Sequence, residues 1–279
     1  MDWNQYPLSP PKIVAVATDQ LLTATAAVNA FPDAANLPGP TTPKYGQDLT
    51  FGLGRAAPEG HDVGATPAVL APKMTALISE FASKDKSGMA SRLFASFLAK
   101  QKAVSYFDDK DLSTAALNHS HIKSFLDGAL GVPDPTQPAG KTRIHQALKQ
   151  ANWDITKMTA PTDLGVPAFN DGNKYLGTGD FGNGLGVMIN GVQYVYVIAT
   201  HYHYDAASAK YCLRLLYIFY DVFGLDDIDL KRFGAKSDGF TNTKAGVGIT
   251  AWWQLQHQHG YAPLVTRILL AKTFEVSAT

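Results

Sequence analysis

The strongest constraint on the fold of this 279-residue chain is an alternating apolar pattern on both sides of Asn190-Gly191. Every second position is apolar in two stretches, Leu185, Val187 and Ile189 before the dipeptide and Val192, Tyr194, Tyr196 and Ile198 after it. Asn-Gly favours the type I′ turn that joins twisted antiparallel strands. The sequence therefore predicts a β-hairpin centred on 190–191, which opens a β-rich module from Leu185 to Val276.

The second strand of this hairpin would be too long if it ran unbroken to Tyr204. Thirteen residues at about 3.3 Å each would span about 43 Å, well beyond a usual strand. We therefore expect a bulge or bend near 199–201. Two further strands are predicted, Lys210 to Asp221 and Pro263 to Val276, with a helix from Ile249 to His259 between them that Gly260 ends.

The preceding part of the chain has helical periodicity. Apolar residues share a helix face in two stretches, Met89, Leu93, Phe94, Phe97 and Leu98, then Ile122, Phe125, Leu126 and Leu130. A shorter helix is predicted from Lys141 to Asn152. The fold class is therefore α+β, an N-terminal helical part followed by a C-terminal antiparallel β-sheet module with one packed helix.

Three segments are predicted along the chain. Residues 1–68 form an irregular Pro/Gly-rich arm, in which Ile13 to Ala30 is predicted to be helical; 69–156 form a helical subdomain; 157–279 form the β-rich module that carries the candidate active site. The arm is a candidate loading segment for a larger machine.

Composition excludes some classes of function. Lys plus Arg equals Asp plus Glu at 24 each, so we expect no nucleic-acid partner. Cys212 is the only cysteine and lies among apolar neighbours, which favours a structural role. Because the N-terminus lacks a signal-peptide pattern and no stretch is long and apolar enough to span a bilayer, we expect synthesis in the cytoplasm and no stable membrane insertion.

Four stretches of sequence resemble a family of uncharacterised proteobacterial domains found in type VI secretion system cargo and contact-dependent antibacterial toxins. They are YDVFGLDDIDL (220–230), IHQALKQANWDI (144–155), GNGLGVMING (182–191) and AWWQLQHQHGYAPLVT (251–266). The resemblance covers roughly Ser91 to Val276. It implies a secreted toxin with a cognate immunity protein and a secretion spike or adaptor protein as partners, and it assigns no reaction.

The acidic residues Asp221, Asp226, Asp227 and Asp229 follow a predicted strand, so their carboxylates would crowd one sheet edge. Crowded carboxylates raise one another's pKa or bind a cation, which favours general acid–base catalysis or a divalent-metal site. The alternative is structural, because Asp226 or Asp227 would also cap a short helix beginning at Ile228.

A second candidate site is the sequence THYHYD. His201, His203 and Asp205 lie at i, i+2 and i+4, which places them on one face of a strand, as ligands of a metal or as exposed polar residues. The spacing resembles the HxHxD motif of metallo-β-lactamase-fold hydrolases, but Ala206 stands where that motif continues with histidine.

Two further residues are catalytic candidates. His257 lies near a helix C-terminus, where the helix dipole favours its cationic form, or where it reaches the acidic turn and takes part in catalysis. Asp180 in GTGDFGNG is either a catalytic carboxylate on a loop or the first residue of an Asx-turn.

The leading functional hypothesis is an antibacterial effector that hydrolyses the recipient's cell envelope, peptidoglycan or its precursors. A non-enzymatic membrane-active toxin, for which Met89 to Leu98 is the candidate amphipathic helix, and a structural or adaptor component of the secretion apparatus are the alternatives.

Overall fold

A computed structural model of the chain describes residues 5–18, 29–30, 44–45, 47–56, 65–131, 143–158, 162–167, 169 and 179–278. Its strands are β1 (Pro7–Thr18), β2 (Asn29–Ala30), β3 (Lys44–Tyr45), β4 (Ser105–Asp108), β5 (Thr162–Asp163), β6 (Tyr194–Asp205), β7 (Lys210–Phe223) and β8 (Leu264–Ser277). Its helices are α1 (Pro67–Thr75), α2 (Leu77–Phe81), α3 (Met89–Leu98), α4 (Lys110–Asn118), α5 (Ser120–Gly128), α6 (Ile144–Gln150), α7 (Asp180–Asn183), α8 (Leu185–Met188), α9 (Asp227–Phe233) and α10 (Lys244–His259).

The main sheet has six strands in the order β4-β8-β7-β6-β1-β5. The four long strands β1, β6, β7 and β8 pair antiparallel with one another, whereas the short strands β4 and β5 join the two edges in parallel. The predicted α+β class is confirmed, with a mixed sheet. Strands of this sheet come from each of the predicted segments 1–68, 69–156 and 157–279.

The two faces of the sheet are both buried along β7. Its odd-numbered residues, such as Tyr217 and Phe219, pack in the large core that the helices complete. Its even-numbered residues, such as Tyr220 and Val222, pack in a smaller core on the opposite face, which also contains Leu49. Leu49 comes from a 3-10 turn, Gln47–Leu49, so this N-terminal segment lies against the sheet.

The predicted hairpin at Asn190-Gly191 is wrong. Residues 185–188 form the short helix α8, and β6 begins only at Tyr194. The buried residues are Leu185, Met188 and Ile189, at i, i+3 and i+4, so the apolar spacing here is helical. The hairpin of the module joins β6 to β7 instead, through a turn in which the Asp205 carboxylate accepts hydrogen bonds from the Ala207 N–H and the Ser208 hydroxyl.

Other predictions, for the β-rich module and for the helical segment before it, are confirmed. Strand β6 has a register irregularity between Ala199 and His201, where the bulge is expected. Helix α10 begins at Lys244, five residues before the predicted start, and ends at Gly260, whose φ of 70° is readily adopted by glycine. The helices predicted from the apolar faces around Leu93 and Ile122 are also present.

The helix predicted over 13–30 is wrong within the described residues. Pro7–Thr18 is a strand that pairs antiparallel with β6, because Ile13, Val14 and Val16 are β-branched and the strand is buried on both faces in its second half. Residues 19–28 lie outside the described part of the chain, as do 31–43 and 57–64 of the predicted arm.

Helix α10 is buried along most of its length. Trp252 contacts the rings of Phe94, Phe97 and Phe223, with centroid distances between 4.2 and 6.3 Å. Trp253 is fully buried. Both tryptophans therefore belong to the core. Among the described residues, none of the helices combines the length and apolar character needed to cross a bilayer.

Gly248 allows α10 to pack closely against α1 and α2. A Cβ at this position would lie 2.6 Å from Cγ and Cδ2 of the buried Leu77 and 3.0 Å from the Lys73 carbonyl oxygen. We predict that Gly248→Ala lowers the free energy of unfolding by about 1–3 kcal/mol, although alanine is the better helix former. Urea denaturation measures the change, and Gly191→Ala, which would meet nothing within 4 Å, is the control. A stabilised Gly248→Ala variant would contradict this packing.

Candidate functional site

The acidic turn after β7 is built around a helix cap. Asp226 precedes α9, and its Oδ1 accepts hydrogen bonds from the backbone N–H groups of Ile228 (2.7 Å) and Asp229 (2.8 Å). The Asp226 N–H donates in turn to Oδ2 of Asp229 at 3.2 Å, which completes a capping box. The capping alternative is therefore correct for Asp226, and the cap also fixes two carboxylates side by side.

A third carboxylate reaches this turn from the N-terminal part of the chain. Carboxylate oxygens of Asp48, Asp226 and Asp229 lie within 4.8 Å of one another, and we call these three residues the acid cluster. All three are half-buried. Sequence reasoning missed Asp48, because the stretch around it has the composition of a loop and nothing local links it to residues far along the chain.

Close backbone packing brings Asp48 to the turn. A Cβ at Gly224 would lie 2.2 Å from the Asp48 carbonyl oxygen, so only glycine permits this approach. The buried Gln256 Nε2 donates to the carbonyl oxygens of Asp48 and Thr50, each at 2.7 Å. The Asp48 carboxylate is oriented separately, since Gln193 Nε2 donates to its Oδ2 at 2.9 Å.

Asp48 and Asp229 of the acid cluster hold protons more tightly than isolated carboxylates do. Burial, followed by the negative charges of Asp229 and Asp226, raises the pKa of Asp48 to about 7 against the lowering effect of the Gln193 hydrogen bond. Burial, followed by the charge of Asp226, raises the pKa of Asp229 to about 6. Near neutral pH the cluster can therefore both donate and accept a proton, or exchange its protons for a cation.

Asp227 faces a different set of partners. Its Oδ2 forms an ion pair with Arg55 Nη2 at 2.5 Å, and its Oδ1 accepts from the Trp253 indole N–H at 3.1 Å. The Arg55 guanidinium also lies 5.7 Å from the Trp253 ring centroid. Asp227 thus fastens the segment around Arg55 to α9 and α10, and is not part of the acid cluster.

His257 reaches the acidic turn, as one of its two interpretations predicts. Its Nε2 lies 2.7 Å from the Leu225 carbonyl oxygen, which can only accept, so Nε2 carries the proton. Its Nδ1 accepts from Arg55 Nη1 at 3.3 Å. Burial lowers the pKa of His257, so the ring is a neutral link; the expectation that the helix dipole keeps it cationic is wrong, because desolvation outweighs the dipole here.

Asp221 and Asp180 lie apart from the acid cluster. Asp221 is buried in β7, opposite Thr266 of β8, and its carboxylate accepts from the Val222 N–H. Asp180 is 2% exposed, at the start of α7, and its Oδ2 lies 2.8 Å from Nε2 of His119. His119 is itself buried, and its ring pairs with this carboxylate.

The His201, His203 and Asp205 side chains are engaged separately. Tyr202 and Tyr204 pack in the large core, so the three lie on the opposite face of β6, as their spacing predicts. His201 Nδ1 contacts the Thr200 hydroxyl, His203 stacks on Tyr6 at 4.1 Å, and Asp205 caps the turn to β7. Within the described residues, the carboxylates that converge as metal ligands are those of the acid cluster.

Arg55, Gln193 and Gln256 are the other residues that sequence reasoning missed. A signal for Gln256 is present in the sequence, since the helix that carries Trp252 and Trp253 also buries Gln254, Gln256 and His257. Buried polar side chains require partners, so a polar run in a core helix indicates a structured polar site. Neither Arg55 nor Gln193 has a comparable local signal.

Comparison of the chain with models of protein families, with curated proteins and with solved structures finds no match. The resemblance to secretion-system cargo domains accordingly remains a prediction from the four stretches that carry it.

We predict that Asp48→Asn makes the stability of the protein less sensitive to rising pH. Because the folded pKa values of Asp48 and Asp229 lie above the unfolded value of about 3.8, their contribution to stability is fully present below pH 3.8 and is lost as pH rises through about 6 and 7. Asparagine does not ionise, so the variant avoids the loss of stability that follows ionisation of Asp48. At about pH 8.5 its free energy of unfolding should exceed that of the wild type by roughly 1–3 kcal/mol.

Thermal denaturation between about pH 6.5 and pH 8.5 measures this effect. The range lies above the pH at which ionisation of His257 makes stability change with pH in the opposite direction. The exposed loop residue Asp238 supplies the matched control, Asp238→Asn. If the melting temperatures of wild type and Asp48→Asn change by the same amount with pH across this window, Asp48 does not titrate as the geometry implies.

We also predict that Gln256→Leu is strongly destabilising. The substitution leaves the carbonyl oxygens of Asp48 and Thr50 and the N–H of Leu225 without their buried partner, so the expected loss is about 2–5 kcal/mol. Urea denaturation gives the value, with Gln258→Leu as the control, because Gln258 makes a single 3.3 Å hydrogen bond to the Arg55 carbonyl. Equal losses in the two variants would contradict the central role of Gln256.

Proposed function

We propose that the chain is an antibacterial effector toxin that a type VI or related contact-dependent secretion system delivers into a recipient cell. There it hydrolyses a component of the cell envelope, peptidoglycan or its precursors, at the acid cluster. The proposal includes a cognate immunity protein and a secretion spike or adaptor protein as partners, and synthesis in the cytoplasm of the producing cell.

The observation that carries the proposal is the convergence of Asp48, Asp226 and Asp229 within 4.8 Å. Two segments on which the family resemblance depends, 220–230 and 251–266, are also the segments that build this site. The first supplies two of its carboxylates, and the second supplies the glutamine and histidine that fix the turn. Resemblance and geometry thus support the same location.

The cluster has the acid–base properties that hydrolysis requires. Asp48, with a pKa of about 7, can protonate a leaving group, while Asp229, with a pKa of about 6, is mostly ionised at neutral pH and can accept a proton from water. Environments that separate the pKa values of neighbouring carboxylates are typical of hydrolases that use an acid and a base. The cluster thus has both roles available at one pH.

The two alternative functions gain less support. The apolar face of α3, the candidate membrane-active helix, packs in the large core through Leu93, Phe94 and Phe97. For a structural or adaptor role, the relevant stretches 31–43 and 57–64 lie outside the described residues.

Expression of the chain in a test strain, with and without an export signal, tests the proposal. We predict that the exported wild type arrests growth and that Asp48→Asn and Asp226→Asn abolish the effect while keeping the wild-type fold. Asparagine caps a helix about as well as aspartate does, so Asp226→Asn retains the capping box donor contacts. Circular dichroism and melting temperature verify folding, and Asp238→Asn is the control that stays toxic.

Full toxicity of both cluster variants would remove the acid cluster from the mechanism. Toxicity only without the export signal would contradict an envelope target, and harmlessness in both compartments would favour the adaptor alternative. Analysis of the peptidoglycan from arrested cells for new fragment masses then tests the substrate class.

A further inference from the structure

We propose that the acid cluster, together with Gln193, is a binding site for one hard divalent cation of the size of Ca²⁺ or Mn²⁺. As an account of the reaction, this inference rests on the proposed function. Cation binding itself is measurable without any knowledge of the substrate.

The spacing of the carboxylates suits a single ion. Ligands on opposite sides of a Ca²⁺ ion, each about 2.3–2.6 Å from it, are about 4.6–5.2 Å apart. The three cluster oxygens lie within 4.8 Å of one another, so a point between them lies no more than about 2.8 Å from each. Small side-chain rotations would bring all three oxygens to the Ca²⁺–oxygen distance.

Each cluster carboxylate commits one oxygen to a hydrogen bond that orients it. Oδ2 of Asp48 accepts from Gln193, Oδ1 of Asp226 accepts from two backbone N–H groups of α9, and Oδ2 of Asp229 accepts from the Asp226 N–H. Asp226 and Asp229 also share a side-chain hydrogen bond with each other, and a cation bound between them would replace the proton of that contact. Hydrogen bonds that hold metal ligands in orientation in this way are a regular feature of metal sites.

The positive charges nearby do not neutralise the cluster by direct pairing in the described part of the chain. Arg55 is paired with Asp227, which is outside the cluster. Arg232 acts on Asp229 through its field. The carboxylates therefore either retain protons or bind a cation. Protons on the carboxylates alone would not account for one further buried group beside the cluster.

That group is the side-chain oxygen of Gln193. Gln193 is 8% exposed, and its Nε2 donates to Asp48, which places the amide at the cluster. Its Oε1 is fully buried and has no hydrogen-bond donor among the described residues. Native proteins rarely leave a buried amide oxygen without a partner, and amide oxygens are ordinary ligands of hard cations. A cation bound here would satisfy the amide and the carboxylates together.

The donor set indicates the kind of ion. All four candidate ligands are oxygens, three of them carboxylates, which suits Ca²⁺, Mg²⁺ and Mn²⁺ rather than the nitrogen- and sulfur-seeking Zn²⁺. The cluster spacing is closer to what the larger of these ions require, whereas Mg²⁺ needs shorter distances of about 2.1 Å and gives up its waters reluctantly. We therefore expect Ca²⁺ and Mn²⁺ to bind more tightly than Mg²⁺. When bound, such an ion would displace the protons of the cluster and supply an activated water, in place of the acid–base roles of Asp48 and Asp229.

The test uses the full-length protein, treated with a chelator and dialysed, at neutral pH. Isothermal titration calorimetry and melting temperature are measured with CaCl₂, MnCl₂, MgCl₂ and ZnCl₂ in turn. We expect saturable binding of Ca²⁺ or Mn²⁺ with one ion per chain and a raised melting temperature. Asp48→Asn and Gln193→Leu should each weaken binding by about tenfold or more, while Asp238→Asn leaves it unchanged.

Gln193→Glu separates a cation site from a cluster that only shares protons. A fourth carboxylate should strengthen cation binding and lower the melting temperature in chelator, where the added charge is uncompensated. If the cluster holds only protons, the variant is destabilised with and without added metal, and that result would overturn the inference. It would also be overturned if no metal gave heat or a melting shift at about 1 mM, or if Gln193→Leu bound as tightly as wild type.

The outcome is independent of the proposed function. Binding by wild type without toxicity in any compartment would refute the envelope hydrolase and leave the cation site intact. Toxicity of a protein that binds no cation would refute the site and leave the hydrolase with acid–base chemistry alone.

Discussion

The side chain of Gln256 is the interaction on which the rest of the site depends. It is fully buried, its Oε1 accepts from the Leu225 N–H at 3.0 Å, and its Nε2 lies within 3.2 Å of the carbonyl oxygens of Asp48, Thr50 and Leu225. One amide thereby joins helix α10, the turn after β7 and the N-terminal segment around Asp48. Because these backbone groups are wholly or partly buried, the amide stabilises a geometry that no apolar residue could hold.

The correctly predicted features of the β-rich module depend mostly on interactions between residues that are close in the chain. The bulge near Ala199 follows from strand length, and the end of α10 follows from the need for a left-handed residue at Gly260. Half of the site also follows from local signals, since Asp226 and Asp229 belong to a capping box that the turn sequence encodes. These features depend on residues close together in the chain, which is why a single sequence reveals them.

The errors occur where distant contacts decide the local structure. The stretch 185–189 satisfies two patterns at once, and the burial of Met188 against the helices selects the helical one. Ile13 to Thr18 has weak helix propensity, and pairing with β6 makes it a strand. Asp48, Gln193 and Arg55 join the site through hydrogen bonds between residues 145 to 202 positions apart, and no local pattern in the sequence marks such contacts.

These long separations have a consequence for synthesis. A ribosome makes the chain from its N-terminus, so Asp48 emerges early and waits for some 208 further residues before Gln256, its partner, exists. Contacts of such high sequence separation also form late in folding, because closure of the intervening loop precedes any gain from them. The nascent protein therefore lacks the complete set of cluster carboxylates until Asp229 has been made. Completion of the site thus coincides with completion of the fold around it.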